Sequence, residues 1–234
     1  MVKMSKKSTI TIILLIVLIP AIVVSGALIF HEKYYAWISL SVALISCLPL
    51  FYCFERKNTN SSELTVLAVL VSISALSRVI FAFVPGFKPI TAITVIVGMW
   101  LGKEAGFVVG SISAIISNFY FGQGPWTPFQ MFSWGMIGLI AGILSKPLAG
   151  NKFLAYIYGA LSGILFSMTM DVWTTLWVDG YFNISRYTAS LLLGLPTMVE
   201  YAVSNVLFMI ALSKPLGDKL SRIKKKYGLF IKNK

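Results

Sequence analysis

The chain has 234 residues, 57% of them hydrophobic and only 12% charged, with a formal net charge of +12. A mean hydropathy of +0.83 excludes an ordinary soluble domain. At about 20 residues per span plus a turn the length accommodates roughly eight membrane helices, and the basic residues lie between apolar runs rather than along one soluble face, which argues against a nucleic-acid partner.

Lys3, Lys6 and Lys7 precede an uncharged stretch from Ser8 to Phe30, with Ser25-Gly26-Ala27 near its end. The arrangement imitates a signal peptide, but the stretch exceeds the 7–15 residues of such an apolar region, so an uncleaved span over 9–30 is expected. A second apolar segment covers 34–54. It contains Cys47 and Cys53, whose spacing matches neither a metal nor a redox motif and reads as two buried free thiols. The single histidine, His31, falls in the intervening loop. The polar stretch Glu55–Glu63 then separates this hairpin from six further apolar segments at 64–84, 89–101, 105–121, 129–145, 153–177 and 188–213. The expected class is an all-α membrane protein: a two-helix extension (1–60), a six-helix core (61–217) and a basic tail (218–234). The segment 89–101 is short for a full span, which suggests a tilted, broken or re-entrant helix.

With the N-terminus inside, Lys3, Lys6, Lys7, Arg56, Lys57, Lys103, Lys146, Lys152 and the eight basic residues from Lys214 onward share one face. Lys33, Lys88 and Arg186 take the other, and Arg78 lies within a span. This imbalance predicts eight spans with both termini cytoplasmic. The basic tail then faces anionic lipid or a partner.

The same topology puts the loop between the fifth and sixth segments outside. Asn118, Phe121, Gln123, Trp126, Thr127 and Gln130 gather there, with Trp134 one turn further on and glycines and prolines stiffening the connection. Aromatic faces beside amides and hydroxyls suit a flat, weakly charged organic solute.

Arg78, Asp171 and Glu200 are ionisable residues inside spans, where charges face a cavity or one another. All three lie near the outer ends of their segments and are expected to converge below the outer loop. Contact with a solute and a structural Arg–carboxylate pair are both consistent with this placement. Trp173 and Trp177 share a helix face next to Asp171; Trp177 fits an interfacial belt, whereas Trp173 is expected to look inward. Gly98, Gly102, Gly106 and Gly110 recur every fourth residue, and Gly138/Gly142 and Gly159/Gly163 repeat the spacing, a pattern of close helix packing. Ala68, Ser72 and Ser74 form a small-residue face able to meet another membrane protein.

The chain contains no nucleophile elbow, zinc-protease motif, carboxylate-rich prenyl-binding motif or Walker sequence. No catalytic residue, metal site or cofactor is expected. Asn183-Ile184-Ser185 fits a glycosylation sequon too short to carry weight.

Residues 61–217 resemble the substrate-binding S components of energy-coupling factor transporters. The resemblance is carried by Pro85-Gly86-Phe87-Lys88-Pro89, the Gly98–Gly110 ladder, and the run from Ser117 to Gly135, which resembles the branch linked to cobalamin or its lower-ligand precursors. It implies a multi-pass subunit of the prokaryotic plasma membrane that captures a vitamin from outside and pairs with a membrane scaffold and two ATPases. It also implies that Ala68 and Ser72 dock that scaffold. An enzyme or channel built on Asp171, Glu200 and Arg78 is the alternative. A third reading is an assembly protein whose glycine stripes bind partners.

Overall fold

The computed structural model describes residues 61–230, and these are helical throughout apart from short connections. The N-terminal extension, with its two expected spans, Cys47, Cys53 and His31, lies outside the described residues. The helices are α1 (Ser61–Ile80), α2 (Ile90–Leu101), α3 (Lys103–Phe121), α4 (Thr127–Ile143), α5 (Ser145–Gly150), α6 (Lys152–Asp179) and α7 (Ile184–Tyr227). Six coincide with the apolar segments from residue 64 onward; the short α5 is additional. Among the described residues, α1, α3, α6 and α7 are long and apolar enough to cross a membrane.

The 12 residues of α2 span about 18 Å, well short of a bilayer core of about 30 Å. Its place in the bundle explains how so short a helix is accommodated. Every α2 residue except Trp100 is buried, and α2 packs against α3, α4 and α7. A helix apolar on all sides belongs at the centre, where neighbours rather than lipid cover it. The outward faces of α1, α6 and α7 instead expose Val69, Leu76, Leu161, Leu193 and Val199, as a lipid-facing surface requires.

Glycines set the helix spacing. A Cβ on Gly98 or Gly106 would collide with the Gly138 carbonyl, one on Gly110 with the Trp134 carbonyl, and one on Gly142 with the Lys103 backbone. The expected ladder therefore brings α2, α3 and α4 into backbone contact. Gly159 and Gly163 play the same part between α6 and α7, meeting Met209, Tyr201 and Asn205. Asn205 Nδ2 donates to the Gly159 carbonyl at 3.1 Å and Tyr158 Oη to the Ile137 carbonyl at 2.7 Å, satisfying polar groups that lipid could not.

α7 runs for 44 residues, roughly 66 Å, through Pro196 and Pro215. It continues past the predicted end of its span. Beyond Pro215 it lays Gly217 against the Trp100 indole, buries Leu220, and donates from Lys224 Nζ to the Trp100 carbonyl at 3.1 Å. The chain then closes on α1, where the Phe230 amide donates to Glu63 Oε1 at 2.5 Å. The described part of the basic tail thus packs across one end of the bundle. The opposite end carries the 81–89 connection, the 122–126 loop and the α6–α7 turn.

Candidate functional site

The loop between α3 and α4 owes its shape to one buried hydroxyl. Gly122 has φ 95°, a conformation that favours glycine, and the chain turns there toward Thr127 at the start of α4. Thr127 Oγ1 donates to Gln123 Oε1 at 3.1 Å and accepts from the Gly124 amide at 3.3 Å and from Asn118 Nδ2 at 3.0 Å. A hydroxyl has one donor and two acceptor sites, and here all three are used. Gln123 Nε2 donates to the Ile115 carbonyl at 2.8 Å, fastening the loop to α3.

Asn118 is the hub of the network and is fully buried. Its Nδ2 also donates to Gln130 Oε1 at 2.8 Å, and its Oδ1 accepts from Arg78 Nη1 at 2.7 Å. The same guanidinium nitrogen reaches Ser117 Oγ at 2.6 Å. Asn118 therefore holds Arg78 and Gln130 in place from behind, and with both amide hydrogens used it has no direct access to a solute.

In front of Arg78 and Gln130 opens a cleft of about 440 Å³, counting its mouth. Trp134 and Phe166 stack at 4.5 Å with 18° between their planes, and Tyr201 meets the Phe166 edge at 6.0 Å. Trp134 Nε1 donates to Thr91 Oγ1 at 3.0 Å, which fixes the indole. Lys88, Thr91 and Asn205 complete the polar lining. The bond from Asn118 engages the Gln130 carbonyl oxygen, so Gln130 offers its Nε2 donors to the cleft. The Arg78 guanidinium lies 4.3 Å from the Phe121 ring centroid and 5.1 Å from that of Trp134; Lys88 Nζ lies 5.0 Å from the Phe121 centroid. Lys88 belongs to the 81–89 connection. Partial burial, and secondarily the charge on Arg78, hold its pKa below the ordinary lysine value.

Of the residues expected at the site, Arg78, Gln130 and Trp134 thus line one cleft, with Phe121 packed against its two cations. Asn118 and Thr127 stand behind it, and Gln123 caps the loop. Trp126 and Trp173 form a different feature: their rings meet edge to face at 5.8 Å, and Trp173 stacks on Trp177 at 5.7 Å. Neither lines the cleft.

The expected convergence of Arg78, Asp171 and Glu200 does not occur. Arg78 bonds neutral partners. Glu200 is exposed and packs on Gly86, while Asp171 is only partly buried and lies near Gly194. An ion pair joins Arg186 to Asp179 at 2.6 Å, at the α6–α7 turn. Depth along a helix is readable from sequence, but the direction a residue faces depends on how each helix is rotated in the bundle. Glu200 and Tyr201 are adjacent in sequence yet about 100° apart around α7, so Tyr201 faces the cleft and Glu200 does not.

Sequence reasoning did not single out Lys88, Thr91, Phe166, Tyr201 or Asn205 for the cleft. Tyr201 and Asn205 are four apart and share a helix face, which is the signal that could have drawn them together.

The family model described as ECF-type riboflavin transporter, S component, matches residues 57–222, well over half of the chain. Among curated proteins and solved structures nothing matches.

Proposed function

Since the chain belongs to the ECF-type riboflavin transporter S component family, as a membrane-embedded substrate-binding subunit of a vitamin transporter and not an enzyme, we propose that its solute is a flavin held in the Arg78–Trp134–Phe166 cleft. The observation that carries this reading is the stacked Trp134–Phe166 pair beside the polar side chains of Gln130, Thr91 and Asn205. A flavin is a flat tricycle with carbonyl and ring-nitrogen acceptors along one edge. Aromatic faces match its plane, and convergent N–H groups match that edge. The family model names riboflavin and lends no support to the cobalamin branch.

In this proposal the solute enters from outside the cell membrane, next to the 122–126 loop, in an eight-span topology with cytoplasmic termini. Transport then depends on a scaffold subunit and two ATPases. The exposed face of α1 bearing Ala68 and Ser72 is the proposed docking surface for the scaffold. Asp171 and Glu200, removed from the cleft, have no assigned part in binding.

The test is titration of the purified chain in detergent with riboflavin, followed by quenching of flavin fluorescence. Saturable binding, reduced in a Trp134→Leu variant, is expected. Absence of any flavin binding by the folded protein would remove the flavin reading.

A further inference from the structure

Arg78 is 7% exposed, and no Asp or Glu among the described residues pairs with it. Its partners are a serine hydroxyl, an asparagine carbonyl and two aromatic rings, and its buried Nε has no hydrogen-bond partner. Burying a cation carries a penalty of several kcal/mol, which neutral hydrogen bonds and ring contacts offset only in part. A second cation, Lys88, lines the same cleft and lies against the same Phe121 ring. Partial burial first, and like-charge repulsion from Arg78 second, hold its pKa below the ordinary lysine value. A cleft built only for a neutral tricycle needs donors, and Gln130, Thr91 and Asn205 already supply neutral polar groups. Two cations lining one cleft and meeting one aromatic ring, with no carboxylate among the lining residues, instead match a ligand that brings its own negative charge.

Resting on the flavin reading above, we propose that the site is selective for an anionic, phosphate-bearing flavin, with the Arg78 guanidinium and the Lys88 ammonium receiving the phosphate monoester. Arg78 presents a planar fork suited to two phosphate oxygens, and Lys88 a movable point charge on a connection outside the helices. Asn118 and Ser117 orient the fork from behind, so that only part of the guanidinium is committed within the protein. The ligand's charge cancels the repulsion between the two cations, an interaction that a neutral flavin cannot make.

The experiment titrates the full chain in detergent with riboflavin and with riboflavin 5′-phosphate, for wild type, Lys88→Gln and Arg78→Lys. The phosphorylated flavin should bind wild type tighter by about tenfold or more, as expected for charge-assisted bonds to a buried site. In Lys88→Gln that preference should fall toward unity, and Arg78→Lys should lose part of it because the charge remains while the fork is gone. Lys88 is only partly buried, so its replacement keeps the test meaningful even if Arg78 variants unfold. Equal or tighter binding of riboflavin by wild type, or an unchanged preference in Lys88→Gln, overturns the anion proposal while leaving the flavin reading intact. Failure of both flavins to bind overturns both.

Discussion

Replacing Asn118 by alanine should be the most damaging single change near the cleft, and its cost can be assembled from the bonds it makes. Asn118 donates to Thr127 Oγ1 and Gln130 Oε1 and accepts from Arg78 Nη1, with no exposed surface. Each such bond contributes about 1 kcal/mol net, and a buried partner left unsatisfied costs about 1–3 kcal/mol. Arg78 keeps Ser117, and Thr127 keeps Gln123 and the Gly124 amide, so those losses are partial. Gln130 Oε1 loses the Asn118 donor. Because the three bonds form one network they will not add simply; a total of about 3–5 kcal/mol is expected, a drop in melting temperature of roughly 6–20 °C for a chain of this size. Solute affinity should fall with it, since Gln130 and Arg78 are no longer fixed. Asn118→Asp is the informative companion. Its carboxylate satisfies Arg78 but provides no N–H for Thr127 or Gln130, so stability should recover only in part. Detergent melting curves set beside solute titrations decide the matter: an Asn118→Ala protein that melts and binds like wild type would refute the hub.

Arg78→Ala removes a buried charge and strands only neutral acceptors, so its melting temperature should move by less than that of Asn118→Ala, about 1 kcal/mol in either direction, while solute affinity falls; a loss of stability matching Asn118→Ala would refute the neutral surroundings of this guanidinium. Trp134→Leu should weaken solute binding by about 1–3 kcal/mol through lost stacking, whereas Trp126→Ala, which breaks contacts to Trp173 and Gly124 outside the cleft, should bind nearly as wild type; titration of the pair separates the cleft from the outer aromatic cluster. Gly138→Ala forces a methyl into the Gly106 carbonyl, an overpacking that costs at least about 1–3 kcal/mol and should show as loss of monodisperse protein on size exclusion. Labelling of single cysteines should find Thr127 outside and Asn58 inside, and a bulky residue at Ala68 should block assembly with the scaffold while sparing solute binding; labels on one side, or intact assembly, would remove the respective proposal.

The parts of this fold readable in the sequence are those encoded along one dimension. Apolar runs mark each of the six main helices because lipid and core both demand them, and the small-residue spacing at Gly98, Gly106, Gly138 and Gly142 marks where backbones touch. The end of α7 was not readable by that signal. Lys214, Pro215 and the following lysines look like the close of a span, yet Phe208, Leu212, Leu216 and Leu220 continue one face every fourth residue, and that face packs on the core through Pro215. Helical periodicity, rather than hydrophobicity, was the informative quantity there.

The site shows the complementary limit. Ser117, Asn118, Thr127 and Gln130 are close in sequence, and their clustering is local: a tight loop brings the end of α3 against the start of α4. Arg78 joins them across 39 and 40 residues, a relation fixed by the rotation of α1 against α3. An electrostatic argument from sequence pairs Arg78 with whichever carboxylate lies at similar depth, because an unpaired buried charge is costly. The bundle places both candidate carboxylates elsewhere and leaves the guanidinium facing a cleft beside a lysine. Where the usual economy of burying charge is not observed within the protein, the balancing charge is to be sought in what the protein binds, and the two cations of this cleft make that a question about the solute.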